Sequence, residues 1–134
     1  MSGGYDYDEE EQKLTQELKQ IQSEMRRLDA KDDLTLKRAY ANPEDADNRM
    51  VDYREQHGEE GLFAALRENP ERFGDYPDGE THFNDAYQAR KELPVTFAQY
   101  RRLRDEADVI QTQLDRLRRE RDELNREDDE GPKR

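Results

Sequence analysis

The chain carries little equipment for covalent chemistry. His57 and His82 are its only imidazoles, Ser2 and Ser23 its only serines, and it has no cysteine. Without a thiol there is no disulfide, no thiolate nucleophile and no cysteine metal site. The two histidines stand in no arrangement such as H-E-x-x-H, which would set two ligands on one helical face. His57 precedes Gly58, a place where an imidazole suits the last carbonyls of a helix, so its expected role is structural. Carboxylates are abundant, but acid–base catalysis needs two of them in one pocket with separated proton affinities. Neither serine lies in a setting that would activate it, and the glycines form no phosphate-cradling G-x-x-x-x-G-K-[ST] loop. No catalytic residue, cofactor site or metal site is therefore expected, and the reading is of a protein that binds rather than an enzyme.

What could position binding residues is a pair of amphipathic helices. Leu14, Leu18, Ile21, Met25 and Leu28 recur at alternating spacings of four and three residues, and Leu103, Ala107, Ile110, Leu114 and Leu117 repeat that pattern before Arg121 and Leu124 extend it. Each stripe needs a partner to cover it, and the economical solution is that the two arms, near 12–30 and 96–126, cover each other. The predicted fold is all-α: an elongated antiparallel helical bundle of two long heptad-patterned arms with an inserted head of short helices at about 42–94. Residues 1–11 and 127–134 are expected to be disordered ends, leaving one domain over 12–126.

The head is written in helix punctuation. Asn42-Pro43 offers an N-cap followed by proline at the first helical position, with Glu44 and Asp45 favouring the positive end of the dipole. Gly58 is expected to end that helix, and a further one over 59–68 buries Leu62, Phe63 and Leu66. Pro70 begins a single turn closed by Gly74, and Asp75–Gly79 forms a loop. Thr81 starts a helix carrying Phe83, Ala86, Tyr87 and Leu93 up to Pro94, after which Thr96 caps the last arm. No alternating strand pattern persists.

Composition sets bounds on partners. With 43% charged and 31% hydrophobic residues, a thin helical bundle fits better than a thick globule. The net charge of −12 disfavours direct nucleic-acid binding, which needs clustered lysine and arginine. Arg116, Arg118 and Arg119 alternate with Asp115, Glu120, Asp122 and Glu123, as on a solvated, ion-paired helix face. Arg121 instead falls on the apolar stripe, where it either snorkels or sets register and faces a partner. No run approaches the roughly 20 apolar residues of a membrane span, and the acidic N-terminus is unlike a signal peptide. A cytoplasmic location is expected, with no membrane partner.

Within residues 39–92, an aromatic residue and N-P open a helix (Tyr40, Asn42, Pro43), Gly58 ends it, an apolar helix closes on N-P-E-x-F-G (Asn69, Pro70, Glu71, Phe73, Gly74), and Gly79 and Ala89-Arg90-Lys91 follow. In order and spacing this resembles the BID domain, the helical secretion-signal module of type IV secretion effectors and of some conjugative relaxases. The resemblance implies an elongated antiparallel bundle topped by a hook, a docking role towards type IV secretion coupling machinery in conjugation or effector delivery, and translocation out of the cytoplasm. The expected partner-binding residues are Phe73, Tyr76 and Phe83 around the loop, Arg90 and Lys91 on the helix after it, Arg121 on the last arm, and Lys133 and Arg134 at the end. Two other readings fit the residues: a coiled-coil structural or adaptor protein that oligomerises through its arms, and an acidic nucleic-acid mimic that blocks a basic partner.

Overall fold

In the computed structural model, which describes residues 6–77 and 80–130, the chain is all-α. Helix α1 spans Tyr7–Ala39, α2 Pro43–Glu68 and α3 Glu80–Glu130, with a 3-10 turn at Pro70–Phe73 and no strand among the described residues. None of these helices is long and apolar enough to cross a membrane.

Helix α1 begins well before residue 12. The Asp6 carboxylate accepts the Glu9 amide at 3.1 Å, Asp8, Glu9 and Glu10 occupy the first turn, and Lys37 and Arg38 the last, so both ends match the helix dipole. Helix α2 follows the punctuation closely: Asn42 caps it by accepting the Asp45 amide at 3.1 Å, and Pro43 takes the first turn. At Gly58 the backbone turns to φ 77° and ψ 172°, so α2 is two helical segments meeting at a kink. A Cβ placed there would meet nothing within 4 Å, so the glycine answers to backbone conformation and not to space.

Helix α3 departs from the expected pattern, because it runs unbroken through Pro94. Proline in a helix interior typically costs about 3 kcal/mol, and here the surroundings offset that. Pro94 is buried, and Ala86, Ala89 and Leu93 on the preceding turns are 0% exposed. Thr96 is no N-cap. Its hydroxyl lies 2.5 Å from an Asp32 carboxylate oxygen and within 3.3 Å of the Leu93 and Glu92 carbonyls, a back-bonding geometry typical of threonine inside a helix. The helix continues past residue 126 to Glu130; residues 131–134, and with them Lys133 and Arg134, lie outside the described residues.

The chain divides into two compact units, residues through Met25 with those from Leu103 onward, and Arg26–Arg102. In the first unit, Leu14 and Leu18 of α1 share a core with Ala107, Leu114 and Leu117 of α3, edged by Tyr7, Ile21, Met25 and Ile110. The two stripes thus cover each other within one chain. The second unit gathers residues from all three helices and the segments between them, among them Leu36, Tyr40, Met50, Leu62, Leu66, Phe73, Ala89 and Leu93.

Candidate docking surface

The second unit is organised around one side chain, Arg90. It is 1% exposed although it carries a full charge. Its guanidinium is held between two tyrosine rings, with Cζ 4.2 Å from the Tyr40 centroid and 3.6 Å from that of Tyr76. Nε donates to the Ala39 carbonyl and Nη2 to the Gly74 carbonyl, each at 2.9 Å. Two carbonyls and two ring faces thus take over the role of water. Among the described residues Nη1 is buried without a hydrogen-bond partner.

The same corner closes from the other side. The Tyr40 hydroxyl donates to the Pro70 carbonyl at 2.9 Å, and the Ala41 amide donates to the Asp75 carbonyl at 2.9 Å. Burial pushes the Tyr40 phenol up to about 12, against the pull of the Arg90 cation, so it remains a donor through the physiological range. Gly74 sits at φ 153°, and a Cβ there would lie 3.2 Å from Tyr40 Cδ1. Phe73 packs edge-on against Tyr53 at 5.7 Å. The end of α1, the 3-10 turn, the segment after it and α3 are therefore joined through Tyr40, Gly74 and Arg90.

This placement corrects two of the expected partner-binding residues. Phe73 and Arg90 are each 1% exposed, so neither presents a surface to a partner. Arg90 is buried because it lies four residues after Ala86 and three before Leu93, on the inward stripe of α3. By the same geometry Phe83 and Tyr87 turn outward at 47% and 43% exposure. Tyr76 is half-buried, with its ring 4.6 Å from that of Phe83. Lys91 is exposed and rests its ammonium 4.2 Å from the Tyr87 ring centroid. Arg121 belongs to the other unit, where it pairs with Glu11 at 2.8 Å and Asp8 at 3.6 Å. Of the expected set, Tyr76, Phe83 and Lys91 share the accessible neighbourhood of α3.

Two polar contacts escaped the sequence reading. Asp32 is buried against Thr96, and Arg38 grips the Asp85 carboxylate with Nε and Nη2, the shortest contact being 2.6 Å. The signal for Asp32 was its position four residues after Leu28 and four before Leu36, both buried. Burial raises the Asp32 carboxyl to about 6; the Thr96 hydrogen bond opposes that shift, and the neighbouring Asp29 and Asp33 carboxylates add to it. Among the described residues no group of three or more His, Asp or Glu side chains is placed to hold a metal ion.

Comparison with known proteins adds no relative: no family model, curated protein or solved structure matches the chain.

Proposed function

We propose that this chain is a non-enzymatic docking module, similar to the translocation signals of type IV secretion, acting in conjugation or effector delivery. The observation that supports the reading is where the residues that carry the resemblance lie. Tyr40, Phe73, Gly74 and Arg90 converge on one corner of the second unit, while Asn42-Pro43 and Gly58 set the start and the kink of α2. They act as one folding signature and not as scattered punctuation.

The bundle proposed with this function pairs its arms antiparallel. Glu11 meets Arg118 and Arg121, and Ile21 lines one hollow with Ile110, as an antiparallel register requires. Because Leu14 and Leu114 are already buried within one chain, this reading is favoured over an oligomer that shares those stripes between chains.

Fusing the whole chain to a reporter in a donor cell with a working type IV secretion system tests the proposal. Reporter activity in recipient cells is the expected result. A folded fusion that stays in the donor contradicts it.

A further inference from the structure

One hollow in the second unit differs in charge from the rest of this acidic chain. It has a volume of about 440 Å³ and lies between the end of α2 and the middle of α3. Pro94, Val95 and Ala98 supply its apolar part, Arg67, Lys91 and Arg102 surround it, and among the described residues no carboxylate lines it. Val95, 57% exposed beside buried Leu93 and Pro94, presents an accessible apolar side chain to this hollow. Elsewhere in this unit Arg38, Arg49 and Arg101 are held by carboxylates. Among the described residues Arg67, Lys91 and Arg102 have no such partner, and Lys91 rests only on the Tyr87 ring.

We infer that this hollow docks an acidic amphipathic helix of a partner protein, its apolar residues against Val95 and Ala98 and its carboxylates on Arg67, Lys91 and Arg102. This deepens the docking reading by naming the partner's chemistry. The charge distribution selects that occupant. A long polyanion such as DNA, or an anionic bilayer, meets the field of the whole chain at net −12 and is repelled. A short helix seated in the hollow meets Arg67, Lys91 and Arg102 directly, while charge farther than about 8–10 Å away is screened. An apolar floor with a cationic rim also matches the helix-in-groove mode, in which apolar anchors recur every three or four residues and flanking charges set specificity.

The test uses the full chain and a labelled synthetic helix with leucines at three- and four-residue spacing and glutamates on its flanks, read by fluorescence anisotropy. Binding is expected with a Kd on the order of 10 µM, weakening several-fold as salt rises from about 50 to about 300 mM. A helix with lysine in place of every glutamate should bind at least about tenfold more weakly. The variant Arg67→Glu/Arg102→Glu, both exposed, should keep its circular dichroism and lose affinity by about tenfold or more, and Val95→Ser should lose about threefold. No binding at about 1 mM overturns the inference. So does equal binding of the lysine helix, or affinity unchanged in both variants. A wild-type dimer in sedimentation that the arginine reversal dissolves also overturns it, by giving the hollow to a second copy. Reporter transfer without peptide binding removes only this inference; peptide binding without transfer removes only the secretion reading.

Discussion

The Asp32 carboxylate of α1 and the Thr96 hydroxyl of α3 lie 2.5 Å apart in a buried contact, two residues beyond the proline that α3 passes without breaking. A protonated Asp32 can donate to Thr96 Oγ1 while that hydroxyl donates to the Leu93 carbonyl, so every group is satisfied. An ionised Asp32 takes the hydroxyl for itself and brings a charge into the core.

A pH dependence follows. The folded-state carboxyl titrates at about 6 against 3.8 for the ordinary group, so the folded chain holds the proton to higher pH than the unfolded one. The associated stability is fully present below pH 4 and is lost as pH rises through 6, a difference of about 3 kcal/mol. Denaturant unfolding of wild type and Asp32→Asn from acid to neutral pH checks this. The variant should lack that decline and be the more stable of the two at pH 7.

Arg90 is expected to resist even conservative replacement. Lysine presents one ammonium where the guanidinium fork reaches two carbonyls and stacks between two rings. Arg90→Lys should cost about 2 kcal/mol or more, and Arg90→Ala about 3 kcal/mol or more, because the Ala39 and Gly74 carbonyls are left unpaired and a cavity opens. Thermal melts followed by circular dichroism measure both, and melts equal to wild type contradict the corner described here.

These two residues also show how far the sequence was legible. Asn42-Pro43, Gly58 and the 3-10 turn at Pro70 were readable because capping and positive φ depend on local chemistry. The arms were readable because Leu14, Leu18, Leu114 and Leu117 repeat with helical spacing. Arg90 and Asp32 were not, since an apolar stripe is read by counting apolar residues, and a charged residue on it is assumed to face water until its partners are known. Pro94 misled for the opposite reason: proline is a strong local stop, and the burial of Ala89, Leu93 and Pro94 that overrides it is tertiary. The docking hollow could not be read, because Arg67 and Arg102 come together only in the fold.

In the first unit the exposed and buried positions of α3 should separate cleanly. Leu114 is 1% exposed and Val109 58%. Leu114→Ala is expected to destabilise by about 2–5 kcal/mol, and Val109→Ala by less than about 0.5 kcal/mol. Urea titrations compare them; a neutral Leu114→Ala would mean that the arms do not bury each other.

Arg121 sits on the stripe and pairs with Glu11, with its side chain about one-third exposed at 32%. Arg121→Glu is expected to cost at most about 1 kcal/mol, since water screens the pair. The swapped variant Glu11→Arg/Arg121→Glu should recover part of it, and a double-mutant cycle in urea gives the coupling. Zero coupling would assign Arg121 only the covering of apolar surface.

The docking role is tested most directly by transfer itself. The full chain fused to a reporter is expressed in a donor with an intact type IV secretion system and in one whose coupling component is deleted, with folding checked by circular dichroism of the purified fusion. Reporter activity in recipients from the intact donor alone is the predicted result. Equal signals from the two donors, or none from a folded fusion, would contradict the account.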